Sequence, residues 1–415
     1  MDKYILAEAN GRVIPERDVI FGISGMAKEM AQKEGKDKVF NGTVGSLLDD
    51  DGNLMILSSV VKAISRLKPE DYADYAPIGG LPSFQEATIK DVFGSYSVKG
   101  FTRAIATPGG SGAIRNTIVN YSKQGDGILT TDWFWGPYHT IAQEHGRTIE
   151  TFTLFTENNT FNFDAFKEKL AFLIEKQEKV VILLNTPAHN PTGFTVSDDE
   201  WDKIIKIMED GVKDKGSIIL FVDCAYLDYA VDPILVRRFL QKLDGLNERI
   251  LTVIGYSMSK GYTLYGMRGG AMICLSKSLE VAEEFKKVSE QSCRGTWSNC
   301  TRAAQVLLSN VHKDEKLMKE IQEERASFRT ILLSRGKAFE VEAEKAGLTT
   351  TPYSGGFFIS VPCDNSNKVA DALMEEGVFI VPMAKGLRIA VSSLSVEKLK
   401  KMPGIIKKAI GKVNK

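Results

Sequence analysis

The sequence predicts an α/β protein: a mostly parallel sheet with helices on both faces, joined to a smaller α+β domain. Three observations predict it. From about residue 100, short apolar runs alternate with helical stretches, the rhythm of strands joined by crossover helices. Those runs lack polar alternation, as strands buried on both faces do. After about residue 312 the rhythm stops, and a long charged helical stretch is followed by shorter strand-like runs. We assign residues 51–311 to a large domain, and residues 1–50 with 312–415 to a small domain packed on it.

In chain order, the first fifty residues are mixed, with a glycine-bearing Phe40-Asn41-Gly42-Thr43-Val44-Gly45-Ser46 and an acidic turn over 49–53. A helix is expected over 57–67, ended by Pro69, and then a Pro- and Gly-rich loop over 72–82. Strands are expected over 104–106, 127–131, 148–154, 180–184, 218–222, 250–254 and 271–275, with helices over 111–123, 163–176 and 198–212. The small domain supplies a long helix over 314–346, strands over 357–361, 379–382 and 387–391, a helix near 368–376 and a last basic helix.

Composition excludes several classes. The 415 residues are 43% hydrophobic and 26% charged, ordinary for a soluble globular protein. With 53 basic and 53 acidic residues, net charge is zero, so neither nucleic acid nor an anionic membrane is an expected partner. The five cysteines (Cys224, Cys274, Cys293, Cys300, Cys363) are scattered and form no CxxC, so no disulfide framework and no metal site is expected. The N-terminus has no signal pattern, and no apolar run approaches the roughly 18–20 residues of a membrane helix. A cytoplasmic protein is the expectation.

In such sheets ligands bind beyond the carboxyl ends of the strands, and here a polar cluster follows one apolar run after another. Thr107-Pro108-Gly109-Gly110-Ser111-Gly112-Ala113-Ile114-Arg115 suits an anion at a helix start, or a plain glycine-rich turn with Ser111 as cap. Thr131-Asp132-Trp133-Phe134-Trp135-Gly136-Pro137-Tyr138 offers aromatic rings for the core or for a flat ligand. In Asn185-Thr186-Pro187-Ala188-His189-Asn190-Pro191-Thr192-Gly193, Asn190 has an amide to offer a ligand oxygen, while His189 receives no role. Asp223 ends a buried run, where a carboxylate needs a positive partner such as a protonated ring nitrogen, unless it caps a helix. Lys260 lies between Ser257, Ser259 and Arg268: an amine able to form an imine with an aldehyde, beside groups that would hold a phosphate.

In this order, Thr107-Pro108-Gly109-Gly110-Ser111-Gly112-Ala113, Asn190-Pro191-Thr192-Gly193, Asp223-x-Ala225-Tyr226, and Ser257-x-Ser259-Lys260 with Arg268-x-Gly270 resemble the class I pyridoxal-phosphate aminotransferases of fold type I. More narrowly they resemble the aspartate/aromatic branch, over about residues 41–393. The resemblance implies pyridoxal 5'-phosphate as cofactor, with Lys260 as its tether and as the base that moves the substrate Cα proton. It implies Asp223 at the pyridinium nitrogen, Tyr226 and Asn190 at the ring oxygen, and Trp135 stacked on the ring. Gly110, Ser111, Ser257, Ser259 and Arg268 match the phosphate cup. Tyr75 resembles a tyrosine sent across a dimer interface to the neighbour's phosphate, which implies a homodimer with shared sites. Arg388 resembles the arginine that clamps the substrate α-carboxylate, and Val44 and Gly45 the segment that closes over substrate. Trp135 and Asn190 are expected to touch substrate as well.

Arg294 resembles the arginine that reaches in from the other subunit to a side-chain carboxylate, which implies glutamate and 2-oxoglutarate as one half of the exchange. Ser111, Trp133, Phe134, Phe357 and Phe358 lean towards aromatic substrates. Tyr138 stands where the family has His or Tyr, and Asn185-Thr186-Pro187 and Ser46 depart from the usual pattern. A C–S β-lyase or decarboxylase on the same cofactor is the alternative. A ligand-sensing domain is disfavoured, because no helix-turn-helix fits ahead of Asn41.

Overall fold

The computed structural model describes residues 6–7 and 18–414, so the expectation placed on the N-terminal segment lies outside the described residues. Its centre is a seven-stranded sheet of β1 (Phe101–Pro108), β2 (Gly127–Thr131), β3 (Thr148–Phe152), β4 (Lys179–Asn185), β5 (Ser217–Asp223), β6 (Ile250–Ser257) and β7 (Gly269–Ser276), in the order β1-β7-β6-β5-β4-β2-β3. Only β7 runs against the others: it pairs antiparallel with both β6 and β1, while β6-β5-β4-β2-β3 are parallel.

The missing polar alternation has a direct cause. Along β5, Ile218, Leu220 and Val222 enter one apolar core, while Ile219 and Phe221 enter another on the opposite face. β4 does the same, with Val180, Ile182 and Leu184 against Val181 and Leu183. Period-2 side chains meet helices on both sides, so both parities must be apolar. The edge strand β3 differs: Thr148 and Glu150–Thr151 are not buried, and the strand stops at Phe152 rather than 154.

Beyond the sheet, a three-stranded antiparallel sheet pairs Gly386–Ala390 with Phe358–Pro362 and Val381–Met383. Ile359, Val361, Leu387 and Ile389 form a further core with Leu399, Met402 and Ile406 of the last helix, Val396–Val413. Phe40 joins that core, and Phe40–Asn41 pairs with Val378–Phe379. A 31-residue helix, Glu315–Lys345, spans the two regions: Leu317 and Ile321 pack in the sheet core, Phe339 and Ala343 in the smaller one. It starts where Asp314 accepts a hydrogen bond from Leu317 N at 3.0 Å.

The sequence reading missed the longer helices Val19–Glu34, Pro82–Phe93, Pro137–Glu144, Leu279–Thr296 and Arg302–Lys313, and the one-turn helices Phe239–Lys242 and Met258–Gly261. Pro69 is also corrected. It opens a short helix, Pro69–Ala73, instead of only ending the previous one, because proline's fixed φ suits a first helical position. Among the described residues no helix is long and apolar enough to cross a membrane.

Candidate active site

The carboxyl ends of the parallel strands converge on a cavity of about 190 Å³, whose walls include Ser111, Trp135, Asn185, Asn190, Asp223, Tyr226, Lys260, Tyr265 and Arg268. β4 ends at Asn185, β5 at Asp223 and β6 at Ser257, so three neighbouring strands each deliver a polar residue to one floor.

One end of the cavity is built for an anion. The helix α1 (Gly109–Tyr121) follows β1 with no side-chain cap, leaving the N–H groups of its first turn, Gly110 and Ser111 included, without intrahelical acceptors. Ser111 is therefore not the cap, one of the two roles its loop allowed. Gly109 has φ +68°, and a Cβ there would lie 2.6 Å from Arg268 Nη2, so the close approach of Arg268 requires glycine. On the facing side, Ser257 caps the short helix α2 (Met258–Gly261), its Oγ accepting from Ser259 N at 3.3 Å. Arg268 donates to Ser259 Oγ at 3.1 Å and to the Tyr265 carbonyl at 3.0 Å.

Lys260, on α2, sits between this end and the rest of the site. Its amine donates to the Gly45 carbonyl and lies over the rings of Tyr265 (4.6 Å), Phe357 (5.2 Å) and Tyr226 (5.7 Å). Burial first, then the charges of Arg388 and Arg268, lower its pKa from 10.5 to about 7.

Across the floor, Asp223 is buried. Its Oδ2 accepts from Tyr138 Oη at 2.7 Å and its Oδ1 from Ala225 N at 3.2 Å. Burial pushes its pKa up, and those two donors draw it part of the way back. It thus forms a turn with Ala225, but the short 3₁₀ turn that follows starts only at Leu227, so it caps no α-helix. Asn190 Nδ2 stands 3.3 Å from Tyr226 Oη. Trp135 meets Tyr138 edge-on, with centroids 5.7 Å apart.

Arg388, on the strand Gly386–Ala390, closes the far side. Its Nη2 donates to the Thr43 carbonyl at 2.6 Å and its Nη1 reaches Asn190 Oδ1 at 3.4 Å. The guanidinium lies 4.5 Å over the Phe358 ring, burial lowers its pKa to about 10, and Nε has no hydrogen-bond partner among the described residues. Gly45 packs on the same ring, with no room for a Cβ.

Twelve of the fourteen expected site residues are therefore drawn into one region. Tyr75 and Arg294 are not: Tyr75 is 81% exposed, and Arg294 is exposed on the helix Leu279–Thr296, bonded to Ser298 Oγ at 2.6 Å. Sequence reasoning left Tyr138 open and passed over Tyr265, Asn185 and Thr43. Tyr265 Oη accepts from Leu47 N at 3.0 Å while its ring faces Lys260. Tyr265's place five residues after Lys260 was a usable signal, but the Thr43 carbonyl left none. Among the described residues no group of three His, Cys, Asp or Glu side chains is placed to hold a metal ion.

Comparison with known proteins agrees with this architecture. Residues 37–404 match the family model for aminotransferase class I and II. The crystal structure of an aminotransferase from Anaerococcus prevotii superposes with a TM-score of 0.95 at 36% identity, over 98% of this chain and 100% of that one. The mitochondrial aspartate aminotransferase of Schizosaccharomyces pombe is 28% identical over 308 residues, 71% of this chain and 66% of the relative's length. At 20% identity and a TM-score of 0.79, an aromatic-amino-acid aminotransferase from Burkholderia pseudomallei, described as covalently bound to pyridoxal phosphate, shares the fold over 98% of this chain and 100% of its own. A family match across nearly the whole chain, with a near-identical fold at 36% identity, establishes that this chain belongs to the class I and II aminotransferases.

Proposed function

We propose that the chain is a pyridoxal-phosphate-dependent transaminase. It exchanges an amino group, in ping-pong fashion, between an aromatic or dicarboxylic amino acid and a 2-oxo acid such as 2-oxoglutarate. The observation that carries this reading is a charge imbalance. Lys260 and Arg268 line one cavity and Arg388 stands behind its wall, 3.4 Å from Asn190 Oδ1; none of the three has an ion-pair partner among the described residues, and Asp223 is the cavity's only carboxylate. A site so short of negative charge suits a phosphate at the Arg268 end and a carboxylate at the Arg388 end. The orphaned Nε of Arg388 and the uncapped start of α1 fit those two anions, and the ring-sized space between is walled by Trp135, Asp223, Asn190 and Tyr226. The residues present fit pyridoxal 5'-phosphate.

When bound, that cofactor supplies an aldehyde to carry the amino group and a ring to receive the electron pair released at Cα. The chain does the rest. Ser257, Ser259, Arg268 and the N–H groups of Gly110 and Ser111 hold the phosphate. Asp223 holds a proton on the ring nitrogen, and Tyr138 keeps its carboxylate oriented. Asn190 and Tyr226 donate to the ring oxygen. Arg388 grips the α-carboxylate with Thr43 and Asn190 fixing its fork, and Gly45 covers it. Burial and the charges of Arg388 and Arg268 favour the neutral form of the Lys260 amine, which suits it to take the Cα proton and return it.

The exposed Tyr75 and Arg294 support a homodimer in which each serves the partner's site. Arg294 then favours a dicarboxylic side chain, as in the substrate named by the yeast relative. The two cores support a large domain of 51–311 and a small one of 1–50 and 312–415, with the Glu315–Lys345 helix crossing between them. Five free cysteines support a reducing compartment such as the cytoplasm.

The test is spectroscopic. Protein loaded with pyridoxal phosphate is expected to change absorbance on adding glutamate and to recover on adding a 2-oxo acid. Lys260→Ala protein that still completes the exchange at the wild-type rate would sink the proposal.

A further inference from the structure

Asn185 departs from the family pattern in sequence, and in the structure it occupies the junction of the site. It ends β4 opposite Asp223, the last residue of β5, in register. Its side chain is buried and uses both ends of its amide: Oδ1 accepts from Asn190 N at 2.6 Å, and Nδ2 donates to the Asp223 carbonyl at 2.8 Å. The Asn190 N–H has no other acceptor among the described residues. Asn190 in turn reaches Tyr226 Oη with its Nδ2 and Arg388 Nη1 with its Oδ1.

We propose that Asn185 is a positioning residue for the cofactor, the link that fixes the distance between the groups meeting its ring nitrogen and its ring oxygen. This rests on the reading proposed above. Asp223 and Asn190 lie on different segments, one at a strand end and one in the turn that follows the neighbouring strand. The parallel ladder ties Asp223 only to the first residue of that turn, Thr186, whose N donates to the Asp223 carbonyl at 3.2 Å, and does not reach on to Asn190. The Asn185 amide does, since it holds the backbone of both. Only a short side chain carrying a donor and an acceptor at fixed separation can do so: aspartate has no donor at neutral pH, and glutamine is a methylene too long. Because Asn190 also touches Arg388, the same link carries on to the substrate carboxylate site.

The experiment compares full-length wild type with Asn185→Ala, Asn185→Ser, Asn190→Ala and the Asn185→Ala/Asn190→Ala double variant. It measures the dissociation constant for pyridoxal 5'-phosphate, the pH midpoint of the bound cofactor's absorbance change, and the melting temperature without cofactor. Asn185→Ala is expected to weaken cofactor binding roughly tenfold, the worth of one hydrogen bond from a displaced Asn190 side chain, and to move the absorbance midpoint. If Asn185 acts through Asn190, adding Asn185→Ala to Asn190→Ala costs less than about threefold more, whereas independent effects multiply. Multiplying effects would overturn the proposal. So would a lowered melting temperature with unchanged affinity and midpoint in Asn185→Ser, which marks a merely structural role. Wild-type protein that fails to take up the cofactor overturns the proposed function and this inference together. Wild-type uptake with indifferent Asn185 variants overturns only the inference.

Discussion

Replacing Lys260 with methionine in the cofactor-free protein tests the electrostatics of the site directly. The amine's pKa falls from 10.5 to about 7, because burial and the cations Arg388 and Arg268 all oppose its charge. Taken whole, that shift corresponds to at most about 5 kcal/mol. The side chain is not fully buried, so we expect roughly 2–3 kcal/mol to survive screening. The folded-state pKa lies below the unfolded one. The lysine is therefore a full liability below about pH 7, and the liability fades as pH rises towards 10.5, where the unfolded chain also loses the proton. Urea unfolding at about pH 6.5 and about pH 9.5 reads this out. At the lower pH, Lys260→Met is expected to be more stable than wild type by roughly 2–3 kcal/mol, with most of the difference gone at the higher pH. Methionine also packs against Tyr226, Tyr265 and Phe357, but that gain does not vary with pH. A stability difference that is the same at both pH values would refute the depressed pKa and, with it, the neutral-base role of Lys260.

Asp91 is buried under α2 and accepts from Tyr256 Oη at 2.6 Å and Tyr262 Oη at 3.2 Å, with His312 Nε2 at 3.4 Å and Arg325 Nη1 at 4.0 Å. Asp91→Asn leaves Arg325 with Asp228, at 3.5 Å, as its remaining counter-charge and weakens the acceptor shared by Tyr256 and Tyr262, and is expected to cost roughly 1–3 kcal/mol in chemical unfolding; no measurable loss would refute a paired buried charge. Arg388→Lys keeps the charge but loses the fork. It is expected to raise KM for the amino acid by roughly ten- to a hundredfold while cofactor affinity stays within about threefold, and steady-state kinetics with a binding titration separate the two. If Arg294 serves the partner's site, an equal mixture of refolded Lys260→Ala and Arg294→Ala chains regains roughly a quarter of wild-type dicarboxylate activity, since each mixed dimer rebuilds one of its two sites. No regain would place Arg294 outside the shared site.

Much of the site was legible because the strands put it there. Asp223, Asn190 and Ser257 each follow an apolar run within a few residues, and a parallel sheet aligns such ends without any knowledge of packing. The Ser257–Arg268 turn was legible for the same reason: its contacts, Ser259 to Ser257 and Arg268 to Ser259, are two and nine residues apart. What stayed hidden depends on distant pairs. Tyr138 meets Asp223 across 85 residues, and Leu47 N meets Tyr265 across 218. The missed helices have a related cause. Pro82–Phe93 buries Phe84, Ala87, Thr88, Asp91, Val92 and Phe93, a mixed face whose polar members find buried partners only after folding, so its sequence lacks a clean apolar stripe.

The two ends of the proposed substrate differ in where their cation comes from. At the α-carboxylate, Arg388 is held by Asn190 and by the Thr43 carbonyl, and all three belong to one chain. Every amino acid carries that carboxylate, so this end needs only a fixed fork. At the proposed side-chain end no cation is free among the described residues: Lys260 turns to Gly45 and Arg268 to Ser259, while Arg294 stands exposed against Ser298. A site that completes its recognition of a second carboxylate only by borrowing can also accept a side chain that needs none, because no buried cation is left unpaired when an aromatic ring enters. On the proposed dimer, acceptance of both dicarboxylic and aromatic substrates would follow from where the cation is missing rather than from which aromatic residues are present. Trp133, taken from sequence as a lean towards aromatic substrates, instead packs in the core beneath the sheet, with 5% exposure.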